Sequence, residues 1–546
     1  MAMFMKHIRN KILSGFLTLA FVMGCDTDEL HELNIDPQAV NEIDLNFLFT
    51  AAAQSSASNG NSGDNRYTDW RTNIGFTSAV IQQLGNNGGI IDAGDKYLEN
   101  LDAVTAPWNF FYTDQLKNLA EIIRQTGEGG FAEGMNLNLR QAARILRVFN
   151  FHRLTDWYGA IPYFNANKGI SGTFFPEYDN QSAIYIDMLK ELDEASAALS
   201  ASNPDEGFAR ADIIYDGDIA KWKKFGYSLM LRLAMRVSNV APDLTNTYVA
   251  KAVAGGPFDS NDDNAWVPMS EESLWSTQNG ISRAFYPGDG GQPAYLSRTL
   301  IDFLKGTDPN STADDDPRLM ILSGGIAEWT ATEFIPKNTN PLEQKGFPNG
   351  ADQQMLNAIE GKQVVAADTY SRINFHMLQR DEPYMLMNYA EVELLLAEAA
   401  ERGLGGLSAG DAEGHYNDGV RAAMQMFIPY AQGDADVIAA FTVTDPEVDA
   451  YLATYPYGVH KPALEMIGEQ MWVSKFFNWW DAWSDWRRTG YPQLTPVNYP
   501  GNVTGGTIPR KLRIPLAEVA ANPNYQTGAT MPDALTTRVW WDGGQE

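Results

Sequence analysis

Cysteine occurs once in 546 residues, at Cys25, so no intramolecular disulfide, four-cysteine zinc site or iron–sulfur cluster is available to this chain. Histidine occurs six times with no HExxH or HxH pair, which removes the usual histidine metal centre. Positive charge is scarce. The 40 lysines and arginines face 69 aspartates and glutamates, a net charge of −29, and form no basic run, so the electrostatic footprint of a nucleic-acid binder is missing. Membrane-spanning runs are missing too: the apolar stretch Ile12 to Gly24 falls short of the roughly 20 residues that cross about 30 Å of hydrocarbon, and no later run does better. What is present is 44% hydrophobic and 12% aromatic residues, enough to bury a sizeable core.

Lys6, Arg9 and Lys11 precede that apolar stretch, which reads as a secretory signal over residues 1–24. Val22-Met23-Gly24-Cys25 resembles a bacterial lipobox, in which a small residue precedes a cysteine that is acylated, palmitate-like, and becomes the new N-terminus. The sole thiol sits where that chemistry needs it. The body is acidic and therefore repelled by anionic lipid, so attachment rests on acyl chains, each buried CH₂ contributing about 0.8 kcal/mol. Asp26-Thr27-Asp28-Glu29 resembles the acidic tag that sends lipoproteins to the cell surface. The expected organisation is a lipidated N-terminus and tether over 25–43 and a single domain over 44–546.

Helical periodicity dominates that domain. Leu116, Ala120 and Ile123 share a face; Ile184, Met188, Leu192, Ala195 and Leu199 follow helical spacing, as do Trp222, Phe225, Leu229, Leu233 and Val237. Segments near 138–156 and 384–402 are apolar on more than one side, as for helices between neighbours. Pairs of about 35 to 45 residues suit tetratricopeptide-like stacking, an all-α fold. Between about 240 and 380 Gly, Pro, Asn and Asp clusters predict a loop-rich region with short helices at most.

Several segments together resemble the SusD/RagB family of nutrient-binding outer-membrane lipoproteins. They are Arg144 to Tyr163 with its Asp156-Trp-Tyr-Gly-Ala-Ile-Pro turn, Gly217-Asp218 with Trp222-Lys223, Tyr384 to Ala400, His415 to Val420, Glu469 to Trp472, Trp486 to Pro492 and Ile508 to Leu512. The resemblance implies helix pairs backing an irregular ligand-binding half, no catalytic step, and delivery of a glycan or other nutrient to a SusC-like TonB-dependent transporter. Rival readings are a helical glycan-degrading enzyme and a structural or adhesive surface protein. No cofactor is implied.

Sugar binding asks for aromatic faces in an open cleft beside amide, carboxylate or guanidinium groups. Arg66, Tyr67 and Trp70 follow a Gly/Asn/Ser stretch, and Trp266, Trp275, Tyr286, Tyr295 and Trp329 lie among polar neighbours in the loop-rich region; these are the expected ligand-binding residues. Trp472, Phe476, Trp479, Trp483 and Trp486 fall on one stripe of a single predicted helix and read as core, with Trp480 off the stripe towards solvent. Arg487 and Arg488 are expected to pair with Glu391, Glu398 or Glu401. Asp308, Asn310, Thr312, Asp314 and Asp316 alternate as in an EF-hand loop, but Ala313 and Leu319 replace the required glycine and glutamate, so a solvated acidic turn is expected and no metal.

Overall fold

The computed structural model describes residues 43–60, 64–203, 205, 207–272, 275–289, 294–330, 332–525 and 531–546. The signal segment, Cys25 and the tether as far as residue 42 lie outside them. Among the described residues the longer helices are α1 (Leu45–Ala57), α2 (Leu101–Phe111), α3 (Gln115–Gln125), α4 (Leu137–Tyr158), α5 (Gln181–Ala198), α6 (Ile219–Arg236), α7 (Pro242–Gly255), α8 (Tyr389–Glu401), α9 (Ala412–Gln425), α10 (Asp445–Thr454), α11 (Ala463–Ser474) and α12 (Trp479–Thr489). None is long and apolar enough to cross a membrane. Successive helices from α3 to α7 pack on one another, α8 pairs with α9 and α11, and α11 with α12, all within one compact unit over Asn46–Glu546.

Local chemistry sets the ends of these helices. Asp218 caps α6, its carboxylate accepting from the Ala220 and Lys221 amides at 2.9 and 3.1 Å. Gly159, at φ +82°, lets the chain leave α4 at the Asp-Trp-Tyr-Gly turn, a conformation that a Cβ would strain. The apolar faces of α5 and α6 are those the spacing predicts, with Ile184, Met188, Leu192, Trp222, Phe225 and Leu229 buried. On α3 the buried face is Leu116, Leu119 and Ile122, so Ala120 and Ile123 sit at its margin.

Four expectations are corrected. Region 240–380 opens with the 14-residue helix α7, which Pro242 starts, and it carries strands as well. Among the described residues of the whole chain the strands are β1 (Leu84–Gly85), β2 (Ala265–Val267), β3 (Tyr295–Leu296), β4 (Ser323–Trp329), β5 (Phe334–Asn338), β6 (Ser371–Ile373) and β7 (Tyr384–Met387), with β2 to β6 inside 240–380. All pair antiparallel: β1 with β3, β2 with β7, and β4 between β5 and β6. The predicted helix over 384–402 is therefore strand β7 followed by α8, divided where the Asn388 side chain accepts from the Glu391 amide at 2.8 Å. The tryptophan stripe is two helices, broken where Phe477 takes φ +75°. Its rings are buried all the same, and Trp480 is only 1% exposed, tilted against Trp157 at 5.3 Å with the Arg153 guanidinium 4.9 Å from its ring.

A layer of buried charge joins α4, α6, α8 and α12. The Asp481 carboxylate takes Arg153 at 2.9 Å and Arg232 at 3.4 Å. Glu391 accepts both Nε and Nη2 of Arg232 at 2.6 Å, and Lys475 reaches Glu391 at 2.8 Å and Asp485 at 2.5 Å. Arg236 bridges Asp485 at 2.8 Å and Asp156 at 3.3 Å. Arg488 grips Glu398 through both nitrogens, at 2.5 and 2.6 Å, whereas Arg487 donates to the carbonyls of Asp156 and Arg510 rather than to a carboxylate. Burial alone would raise the Asp481 and Asp485 carboxyls. The surrounding cations override it and hold Asp485 near 2 and Asp481 lower still.

Two predictions follow from this core. Asp481→Asn strips the counter-charge from Arg153 and Arg232, and Trp483→Ala empties the space of a fully buried indole. Each should cost about 3–5 kcal/mol in urea denaturation. The pH profile has a worked sign. Asp481 and Asp485 are more acidic folded than unfolded, so they stabilise above about pH 4 and lose that contribution as pH falls through their folded values. Asp69 and Asp95 are the reverse: burial pushes both up to about 7, so their contribution is full below about pH 4 and disappears as pH rises through 7. The thermal midpoint should therefore be higher near about pH 5 than near pH 8 and drop steeply below about pH 3. A midpoint that climbs steadily between pH 5 and 8 would contradict this account.

Candidate functional site: an aromatic and arginine band

Past the Gly/Asn/Ser stretch, residues Asp69–Thr77 wind as a π-helical segment, a wide turn that sequence periodicity does not announce. Asp69 anchors its start. The buried carboxylate accepts from the Tyr384 hydroxyl at 2.9 Å, the Asn73 amide at 3.0 Å and the Ser58 hydroxyl at 3.1 Å, while burial raises its pKa. Trp70 and Arg71 follow directly at the half-buried rim, with Tyr67 one turn earlier. The Arg71 guanidinium lies 4.0 Å from the Trp70 ring and 5.2 Å from Tyr67, whose edge meets Phe110 at 5.4 Å.

A short helix, Gly280–Phe285, comes against this anchor from the other side. Gly280 permits the approach, since a Cβ there would stand 2.8 Å from Ser58 Oγ and 2.9 Å from Asp69 Oδ2. Arg283 on that helix holds the inner face of Trp275 at 4.8 Å and donates to Asp64 at 2.9 Å and Asn65 at 3.2 Å. Trp275 is 59% exposed, the one tryptophan so open among the described residues. Arg66 pairs with the same Asp64 at 3.1 Å and donates to the Asp289 carbonyl at 3.1 Å. Asp289 in turn receives both Nε and Nη2 of Arg380 at 2.9 Å, and Arg380 covers the Tyr286 ring at 4.2 Å. From Tyr286 the rings continue through Phe375 at 5.5 Å to Trp329 at 6.2 Å.

Arg66, Tyr67, Trp70, Trp275, Tyr286 and Trp329 thus belong to one band of rings and guanidiniums, drawn from segments more than two hundred residues apart. Beside Trp275, a polar recess of about 410 Å³ is lined by Gln54, Asn59, Asn65, Lys117, Asn118 and Ser276 among others. Two expected residues fall elsewhere. Tyr295 is 7% exposed, stacked on Phe347 at 5.3 Å and covered by Arg372 at 4.0 Å; it lies on the short strand β3 and its ring is core. Trp266, on β2, is half-buried with its edge on Tyr430 at 5.6 Å, and makes no ring contact with the band among the described residues. Arg283, Arg380, Asp64 and Asp289 escaped the sequence reading. Only the tertiary fold brings them beside the rings, and a lone arginine carries no signal of its own.

Elsewhere the acidic turn is held by its own chain. Asp314 accepts from the Thr307 amide at 2.7 Å and hydroxyl at 2.9 Å, Asp315 from the Gly306 amide at 2.7 Å, and Asp316 takes Arg318 at 2.9 and 2.6 Å. Among the described residues no group of three His, Cys, Asp or Glu side chains is arranged to hold a metal ion. Within the band, Asp64 and Asp289 are both tied to arginine. Flat apolar faces, guanidinium edges and amides are groups that can hold a ligand.

Known proteins share this architecture. A solved chitin-binding protein is 30% identical, with a TM-score of 0.75 over 91% of this chain and all of its own. A SusD-like protein from Bacteroidetes AC2a is 25% identical with a TM-score of 0.75, and a SusD homologue from Bacteroides uniformis is 25% identical with a TM-score of 0.69; each matches over 92% of this chain and all of its own. No curated protein matches the chain. The family model described as starch-binding and associating with the outer membrane matches residues 37–515, which take in the helix pairs, the strands and the whole band. A match of that extent, on a helical body with this fold, makes the chain a member of the SusD-like family.

Proposed function

We propose that this protein is a surface-exposed outer-membrane lipoprotein that captures an oligosaccharide and hands it to a SusC-like TonB-dependent transporter, with no catalytic step of its own. The observation that carries the binding step is Trp275: an indole 59% exposed, its inner face held by Arg283 and its outer face open. A sugar ring laid on that face buries C–H surface while its hydroxyls meet the amides and guanidiniums alongside. The family's starch-binding description and the 30% identical chitin-binding protein support a glycan as the ligand. Family association with the outer membrane agrees with an anchor at Cys25, which the lipobox-like junction supports.

Trp275→Ala should weaken glycan binding about five- to thirtyfold in affinity electrophoresis against a polysaccharide panel, since one stacked ring contributes on the order of 1–2 kcal/mol. The thermal midpoint should hardly move, because little of that side chain is buried. Trp266→Ala, apart from the band, should leave affinity within about twofold; equal losses for the two variants would relocate the site. Shortened chains after incubation with polysaccharide would replace binding by hydrolysis. Cys25→Ser should release the protein from membranes or leave it misprocessed, and an unacylated native N-terminus in mass spectrometry would remove the anchor. A transporter-sized partner should come down with the native protein in mild detergent.

A further inference from the structure

The band runs against the composition of the chain. Over the whole sequence acids outnumber bases, 69 to 40. Along the band that excess of acid disappears. Arg66, Arg71, Arg283, Arg372 and Arg380 touch its rings; the carboxylates in ion-pair contact with them are Asp64, Asp289 and Asp102, the last 4.0 Å from Arg71 with its side chain 63% exposed, while Glu271 faces Arg380 and Asp368 faces Arg372 from further out.

Several of these guanidiniums have donors to spare. Arg71 makes no hydrogen bond among the described residues; its guanidinium sits 4.0 Å from the Trp70 ring centre, with Nε buried and without a hydrogen-bond partner. Arg66 uses Nε and Nη1 and leaves Nη2 open. Arg283, 1% exposed, has an Nε with no hydrogen-bond partner, 4.0 Å from the Asp289 carboxylate. Arg372, 5.9 Å from the Trp329 ring, donates to the carbonyls of Ala327, Ala294 and Ala367 and to no carboxylate among the described residues. Burial lowers the pKa of both Arg283 and Arg372, and nearby acids do not make up the difference. A stacked guanidinium with a free edge is built to meet an oxyanion in the plane of its fork.

Resting on the glycan-binding reading, we infer that the band selects an anionic glycan, its sugar carboxylate or sulfate groups meeting the open guanidinium edges of Arg66 and Arg71 while its rings lie along the aromatic faces. Neutral sugars would satisfy the rings and leave those donors to water.

The test is isothermal titration of the full chain with four tetramers: galacturonate, a carrageenan-type sulfated galactan, chitin and maltose-type glucan. At about 50 mM salt one of the two anionic tetramers should bind at least tenfold more tightly than either neutral one, and about 500 mM salt should narrow that preference without removing it. Whichever anion wins identifies carboxylate or sulfate as the group read. Arg71→Gln should cut the preference at least fivefold at an unchanged thermal midpoint, and Arg66→Gln should act in the same direction. A neutral tetramer that binds as tightly as both anionic ones, and still depends on Trp275, overturns the anionic preference while glycan capture stands. Binding of none of the four removes both.

Discussion

Five cations and five carboxylates, Arg153, Arg232, Arg236, Lys475 and Arg488 with Asp156, Glu391, Glu398, Asp481 and Asp485, are buried together where four helices meet. Each such group left unpaired in the interior would cost several kcal/mol, so the helices are constrained to the one set of rotations and heights at which all ten find partners. Spacing makes this possible. Arg232 and Arg236 are four apart on α6, as are Asp481 and Asp485 on α12, and each pair faces the other one turn at a time. Apolar packing alone tolerates sliding; a ladder of buried ion pairs, two of them bidentate, does not.

The candidate site hangs from this ladder. Arg153 reaches Asp481 and lies against Trp480, whose backbone amide donates to Asn73 Oδ1 at 3.2 Å. The Asn73 amide donates to the Phe477 carbonyl at 2.8 Å and to Asp69 at 3.0 Å. From Asp69 the chain continues at once into Trp70 and Arg71, and the Gly280–Phe285 helix that carries Arg283 rests against the same carboxylate. The position of the exposed rim is thus fixed, through three polar contacts, by the charge layer in the helical half.

This division explains what the sequence shows and what it hides. Helix faces on α5 and α6 were legible because a helix repeats its burial every three or four residues, and the tryptophans of α11 and α12 were legible as core for the same reason. The break at Phe477 was not, because a non-glycine residue at positive φ leaves no compositional mark. The β4–β6 sheet was hidden because burial in β4 alternates on Ser323, Gly325 and Ala327, small residues that leave no apolar alternation to read. Of the candidate site, the rings could be nominated from their polar neighbours. Tyr295 shows the limit of that rule, since a two-residue strand buried it among Phe347 and Tyr370. The arginines could not be nominated, because Asp64 meets Arg283 across 219 positions of sequence.

Electrostatics at the band acts at contact and not at a distance. The chain carries −29 overall, so its far field opposes an approaching anion and gives no steering. At physiological salt that field is screened beyond about 8 Å, whereas a guanidinium held against an indole at 4.0 Å meets a bound oxyanion inside the screening length. Repulsion outside and attraction within place the discrimination in how long a ligand stays, not in how fast it arrives. The stacked arrangement suits this, because the ring underneath fixes the plane of the fork before any ligand comes, so little side-chain freedom is lost on binding.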